Sequence, residues 1–490
     1  MNCVGPTDPN YDADRRISNA RFDYRPAWIC YCENAPDKAR DVIAAIKKAK
    51  AERRKVRIRS GGHQHEGMCS GNGVLIIDLS KIDNLTFSND RDTVQIGAGA
   101  KLKNVYDQTW ANHRLLPGGG CDDVRIGGLV QGGGWGPYSR ELGLTCDRLS
   151  GFSIVLADEK KIEVTAAKGD PYHDLFWAVA GAGGGNFGVI TEFRFKLAPL
   201  RSPIFQFTVT WDQSQMKAVI TEWLKNFPRD QEFKLTSFCR LSGPSDYDKP
   251  VVVAGFFLGE RDPLDVHLKR LLPTTYASKV ACKIDPVYPP KTSEARRAFH
   301  PEYQPGPPPA ALLATMPGAE GAPGDLTTTC NGAFFPHKVS SCFPRWGFSS
   351  VAVDAIVSYL RDAKTEPTAR RYLSLHCMGG NIDSDPNRAR EWSCFPYRDK
   401  PFMLQYQAWW ANKEDKPLGA RCLDWVRNFR ETMKPHTEGS FINFPDKDLA
   451  PERKDLLRYY YAGNLEKLIA IKAKYDPGNF FDFEMGIPTR

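Results

Sequence analysis

The stretch Pro117-Gly118-Gly119-Gly120-Cys121, continuing through Gly127-Gly128 to Gly132-Gly133-Gly134-Trp135-Gly136, is far denser in glycine than the rest of the chain. A second such segment runs from Gly181 through Gly183-Gly184-Gly185-Asn186-Phe187-Gly188, and a short third one reads Arg59-Ser60-Gly61-Gly62-His63. Glycine lets backbone N–H groups turn inward and come close to an anionic ligand. Neither long segment has the strand–glycine–helix setting of a dinucleotide fingerprint, and neither has the Gly-Lys-Ser/Thr of a P-loop. One glycine-rich segment is explained by a structural loop. Two in one domain, beside Ser60-Gly61-Gly62-His63, point to a large phosphorylated cofactor.

On either side of these loops the pattern alternates between helix and strand over residues 36–200. Val42, Ile43, Ile46 and Ala49 recur at helical spacing, and Val56-Arg57-Ile58-Arg59 reads as a strand running into Ser60. Strands are expected at 74–79, 93–96, 152–156, 162–165 and 189–197, with a helix at 101–112. Residues 199–203 read as a boundary. Beyond it, helices at 213–226 and 351–363 alternate with strands at 235–241, 251–258, 372–378 and 402–409, which suits a sheet with helices on one face. The Pro-, Gly- and Ala-rich run 301–325 reads as a surface loop, with a lid as the alternative. Residues 451–474 carry a strong helix pattern, stopped by Asp476-Pro477-Gly478-Asn479. The fold class is α+β.

The bulk composition fits a soluble enzyme of two or three domains: 490 residues, 41% hydrophobic, 25% charged, formal net charge +8. The basic residues are scattered, so the charge gives no reason to expect a nucleic-acid partner. No apolar run reaches the roughly 18 residues of a spanning helix, and no membrane association is expected. The first residues lack an apolar signal segment, which predicts a cytoplasmic protein as the sequence stands and a secreted one if it is trimmed. The thirteen cysteines include no Cys-x-x-Cys pair. Most of them read as small buried residues in a reducing compartment, with Cys121 needing another explanation and no metal site expected.

The motifs quoted above, in their order, resemble the berberine-bridge-enzyme-like branch of the vanillyl-alcohol-oxidase, PCMH-type FAD-binding superfamily. Tyr475-Asp476-Pro477 with Asn479 and Phe481 matches that branch's C-terminal signature. The resemblance implies a PCMH-type FAD-binding domain of two α/β subdomains plus a substrate domain with an antiparallel sheet flanked by helices. On this reading residues 1–200 and 437–490 form the FAD-binding domain and residues 201–436 the substrate domain. It implies FAD bonded covalently through His63, at the flavin 8α carbon, and through Cys121, at carbon 6. Further cofactor contacts are implied at Arg59, Ser60, Gly61 and Gly62 and at Gly120, Val124, Gly127 and Gly128. Others are implied at Gly132, Gly134, Gly143 and Asp147, at Gly185, Asn186, Gly188 and Val189, and at Asn443 and Asn479. Val124 matches the position that governs dioxygen access, so an oxidase with O2 as electron acceptor is implied.

Hydride transfer from an alcohol carbon needs a base for the hydroxyl proton. The family's sugar oxidases take it from a tyrosine that closes a Tyr-x-Asn-Tyr strand. Here the strand reads Phe441-Ile442-Asn443-Phe444, and phenylalanine takes no proton. By strand alternation Tyr372, Ser374 and His376 share one face, which makes His376 a candidate base. Gln405 and Gln407 share a face of the next strand, with Gln405 as the main polar contact to substrate. Tyr138 is a weaker catalytic candidate, and Trp135, Tyr406 and Phe444 are candidate substrate contacts. The chain is read as an oxidase of a sugar, oligosaccharide or natural-product alcohol that makes hydrogen peroxide, acting as monomer or homodimer. Two alternatives stay open: amine oxidation, oxidative cyclisation or dehydrogenation on the same scaffold, and a flavin-binding protein that has lost turnover.

Overall fold

Strand Val56–Arg59 pairs in parallel with Leu75–Asp78, every residue of which is buried. Trp28–Tyr31 pairs in parallel on the other side and Asn2–Val4 closes the edge antiparallel, giving a four-stranded sheet. Helix Ala39–Ala51 covers it, burying Val42, Ala45, Ile46 and Ala49 at the spacing the sequence displays. This computed structural model describes residues 1–200, 202–244, 246, 250–288, 335–346, 348–364, 366, 368–383 and 392–490. A second sheet, antiparallel, orders Leu85–Phe87, Thr93–Gly97, Val189–Lys196, Leu149–Val155 and Lys161–Thr165. The two sheets and the C-terminal segment bury their apolar side chains in one shared core, which includes Ile77, Phe152, Phe193, Leu468 and Ile487.

The middle of the chain forms an eight-stranded antiparallel sheet. Its spatial order is Ala281–Tyr288, Ile204–Trp211, Val251–Leu258, Leu235–Ser242, Ala369–Cys377, Phe402–Trp410, His337–Pro344 and Thr437–Glu438. The period of two sorts its residues. Val209, Val253, Leu241, Leu373, Leu375 and Leu404 pack into a second core with helices Met216–Asn226, Arg261–Leu271, Ser350–Arg361 and Lys416–Met433. The opposite face carries polar residues and turns toward the first lobe, where Phe256 and Met403 join the first core. The sheet outlasts the expected boundary at 436, since Thr437–Glu438 pairs with its edge.

Three expectations meet a different outcome or none. The helix pattern over 451–474 is two helices, Arg453–Tyr461 and Leu465–Tyr475, because Ala462 takes a left-handed φ of 46° ahead of Gly463-Asn464. Cysteines 3 and 30 form a disulfide between paired strands, a departure from the expectation that most of the cysteines are reduced. The 301–325 loop lies outside the described residues.

Candidate flavin site

The strand Val56–Arg59 ends against a buried ion pair. Arg59 Nε lies 2.5 Å from Asp78 Oδ2, and Arg59 also donates to the Asp14 carbonyl. Ser60 Oγ then donates to Ala98 O at 2.6 Å, and Gly62 turns the chain at φ 74°. Among the described residues the N–H groups of Gly61, Gly62 and His63 have no protein acceptor. They stand on the wall of an open cavity. Cys121 stands on a second wall, carried by a loop that Tyr106 holds through the Gly119 carbonyl and Lys101 holds through Asp123. The third wall is Gly183-Gly184-Gly185, with positive φ at Gly183 and Gly185.

His63 is half-buried against the cavity, and burial pushes its pKa down to about 4, Asp123 opposing the shift. At neutral pH the imidazole is therefore uncharged and keeps the lone pair that an N–C bond requires. The Cys121 sulfur is engaged in a disulfide in this structure, so a bond to flavin requires the thiol form instead. A ring cofactor with an anionic tail fits these walls. Gly128 has nothing within 4 Å of the position a Cβ would take, so the wall is smooth there. Unpaired amides face the cavity on one side and apolar Val124, Leu129, Trp135 and Ile442 line it elsewhere. Among the described residues no group of three His, Cys, Asp or Glu side chains could hold a metal ion. No helix there is long and apolar enough to cross a membrane.

Of the implied cofactor residues, His63, Cys121, Ser60, Gly61, Gly62, Gly120, Val124, Gly127, Gly128, Gly185, Asn186, Gly188 and Asn443 line this cavity, as do Trp135 and Phe444. The others do not, and each has a structural task. Arg59 is spent on Asp78. Asp147 accepts both Arg398 Nη atoms, at 3.0 and 2.5 Å, and the Leu144 N–H at 2.8 Å. Gly132 and Gly134 leave room for Asn443 and Thr145, and Gly143 ends a helical turn at φ 82°. Val189 begins a buried strand, and Asn479 holds a left-handed turn at φ 49°.

The catalytic candidates separate in the same way. Tyr138 is buried against Phe256, ring centroids 6.3 Å apart, and burial raises its pKa well above the ordinary value. It does not line the cavity. Tyr406 points to the helix side of the sheet, its hydroxyl 3.3 Å from Cys342 Sγ, because alternation sets it opposite Gln405. His376 sits behind two cavity rings, 4.6 Å from Trp135 and 6.3 Å from Phe444 between centroids, and its Nε2 lies 2.9 Å from Gln405 Oε1. Gln407 accepts from Trp409 Nε1 at 2.9 Å. Residues 441–444 form a tight turn, with Phe444 N donating to Phe441 O at 2.8 Å, where a strand was expected. Sequence reading missed His65 and Trp409, both on the cavity wall. Carrying the alternation of Gln405 and Gln407 two residues further reaches Trp409.

These features define the class: a flavoprotein with glycine-rich loops that would cradle FAD and an eight-stranded sheet packed beside them. Residues 33–165 match the family described as FAD binding domain, and residues 440–488 the one described as Berberine and berberine like. The chain is an FAD-linked oxidoreductase, similar over both matched segments to the berberine-bridge-enzyme-like proteins. It is 29% identical to YgaK of Bacillus subtilis, named an uncharacterized FAD-linked oxidoreductase, over 98% of this chain and 95% of that one. It is 26% identical to the monolignol oxidoreductase AtBBE-like 13 of Arabidopsis thaliana, over 91% and 82%. The glucooligosaccharide oxidase of Acremonium strictum shares its fold, with TM-score 0.81 and 23% identity over 100% of this chain and 96% of that one.

Proposed function

We propose that this chain is an oxidase that takes a hydride from a hydroxyl-bearing carbon of a sugar, oligosaccharide or natural-product alcohol. On this reading His63 and Cys121 both bond the FAD. Bound FAD would supply the two-electron acceptor and hand its electrons to dioxygen, giving hydrogen peroxide. The bicovalent reading is supported by the two walls that bring His63 and Cys121 to one cavity. It is also supported by the solved glucooligosaccharide oxidase, described with 6-S-cysteinyl, 8α-N1-histidyl FAD. Val124, a modest side chain on the cavity wall, is consistent with dioxygen entry.

One observation carries the hydroxyl-rich substrate. Across the sheet, Thr210, Val252, Arg240, Ser374, Gln405 and Ser341 stand in register on the face turned away from the helices. Thr210 Oγ1, Ser374 Oγ and Gln405 Nε2 are buried there with no hydrogen-bond partner among the described residues. Leaving a buried polar atom unpaired costs about 1–3 kcal/mol, and although these atoms lie behind the cavity wall rather than on it, the polar character of this face supports a hydroxyl-bearing substrate over an apolar one. In this arrangement the chain's residues hold the ring and orient the substrate.

The test is an anaerobic screen of carbohydrates and alcohols against the yellow protein, followed by air. Bleaching by a sugar or alcohol, recolouring in air and one peroxide per turnover are expected. A second reading, hydride loss from an amine, is favoured by Phe444, which offers no proton acceptor. Bleaching by amines alone would select it, and bleaching by nothing would mark a protein without turnover.

A further inference from the structure

Two residues beyond His63 the cavity wall carries a second histidine, and it is wired to a third. His65 Nδ1 lies 2.9 Å from Nε2 of His337, a buried residue at the start of strand His337–Pro344. Only one assignment of protons to neutral rings fits. His337 Nδ1 is 3.0 Å from the Phe335 carbonyl oxygen, which can only accept, so this nitrogen carries the proton. His337 Nε2 then holds a lone pair and accepts from His65 Nδ1–H. That leaves His65 Nε2 as a bare lone pair on a ring that lines the cavity.

The pair is held by more than its own bond. Asn19 Nδ2 donates to the His65 carbonyl at 2.7 Å and to the His337 carbonyl at 3.0 Å, while its Oδ1 accepts the His337 N–H at 3.1 Å. The His337 ring lies 4.0 Å from the Trp409 ring and tilted 31° to it. Phe444 stands 6.1 Å from the His65 ring. Burial, with the neighbouring His63, pushes the His65 pKa down to about 3, and burial, with His65, takes that of His337 well below its ordinary value. Both rings are uncharged at neutral pH and the lone pair is free, but the same burial weakens it as a base, so proton uptake depends on the hydrogen bond to His337 holding the imidazolium.

We infer that His65 is the proton acceptor of this site and that His337 is the residue positioning it. The inference rests on the alcohol-oxidation reading above. The substrate O–H bond breaks, its proton forms an N–H bond at His65 Nε2, and its electron pair becomes the second carbon–oxygen bond. Bound FAD would accept the C–H pair as hydride. The imidazolium so formed keeps its Nδ1–H on His337 Nε2, and the Phe335 carbonyl holds the far end of the chain. A base is thereby supplied on the same wall as Phe444, which has none.

Histidine-selective ¹⁵N spectra of the purified protein read the proton positions without turnover, with His65→Gln and His337→Gln assigning the two rings. Both rings are expected as neutral Nδ1–H tautomers at pH 7. His65 found as the Nε2–H tautomer, or as an imidazolium, overturns the inference. The rate of anaerobic bleaching by a sugar or alcohol is the second readout. His65→Gln is expected to slow it about 100-fold while covalent flavin is retained, and added imidazole to restore part of the His65→Ala rate. His337→Ala is expected to lower kcat far more than it raises KM. Bleaching of His65→Gln at the wild-type rate overturns the inference and leaves alcohol oxidation standing. A wild-type protein that no sugar or alcohol bleaches overturns both.

Discussion

Gly136→Ala tests how the Cys121 wall is positioned. An alanine Cβ at 136 would stand 1.6 Å from the Gly118 carbonyl oxygen and 2.5 Å from the Gly118 carbonyl carbon. An ordinary carbon–oxygen contact needs about 3.3 Å, so one backbone must yield by roughly 1.7 Å. No side-chain rotation relieves a clash between two main chains. The 118–121 turn is already fixed through Gly119, where Tyr106 binds the carbonyl and Leu129 packs at 3.3 Å from the Cβ position. The displacement therefore passes to Cys121, and a misplacement of about 1 Å costs on the order of 100-fold in a bond-forming step. Gly128→Ala is the companion test on the cavity side. Nothing in the protein lies within 4 Å of its Cβ position, yet it faces the cavity on helix Ile126–Gln131. The flavin-free protein should gain up to about 1 kcal/mol from the better helix former while flavin content falls. The assay is mass spectrometry of flavin-bearing peptides from both variants. Loss of the Cys121 bond with the His63 bond kept is expected for Gly136→Ala. Full Cys121 attachment in that variant would refute the steric reasoning, as would wild-type flavin content in Gly128→Ala.

Lys338 binds Glu66, Asp446 and Asp448 from a buried position, at 2.7, 2.5 and 2.8 Å, joining the first lobe, the sheet edge and the C-terminal segment. Lys338→Met should destabilise the protein by about 3–5 kcal/mol by stranding buried carboxylates, read as a lower thermal midpoint and weaker flavin retention. Burial raises the Asp446 pKa, but Lys338 and the hydrogen bonds outweigh it and the net shift is downward. Its contribution is then present above the unfolded aspartate pKa of about 3.9 and is lost as pH falls through the folded value. Asp446→Asn should flatten the acid side of the stability curve, and an unchanged acid midpoint would count against the ion set. His376→Ala should slow flavin reduction by less than about tenfold, through a loosened Trp135, since the ring sits behind the cavity wall; a hundredfold loss would place it at the reacting atoms.

The parts of the fold that announce themselves in sequence are those with one strong period. Val251–Leu258 is a continuous apolar run bounded by Pro250 and Gly259, and its limits follow from composition alone. Likewise the glycine loops are legible because a close backbone approach leaves few residues to choose from. What was hidden depends on distant partners. Asp147 looks like a cofactor ligand until Arg398, far along the chain, is seen to fill both its oxygens. Tyr406 is adjacent to Gln405 in sequence and opposite to it in space, which alternation predicts but motif likeness obscures. The His65–His337 contact joins residues far apart in the chain across two lobes, and no local pattern encodes it.

The account stands most directly on whether one isoalloxazine ring is bonded to both walls of the cavity. Acid precipitation followed by proteolysis and mass spectrometry answers this. The yellow colour is expected in the pellet, on a fragment in which the His63 and Cys121 peptides are joined through a single FAD; His63→Ala and Cys121→Ala should each leave the other bond. Colour released entirely to the supernatant, or flavin found on some other residue, would contradict it.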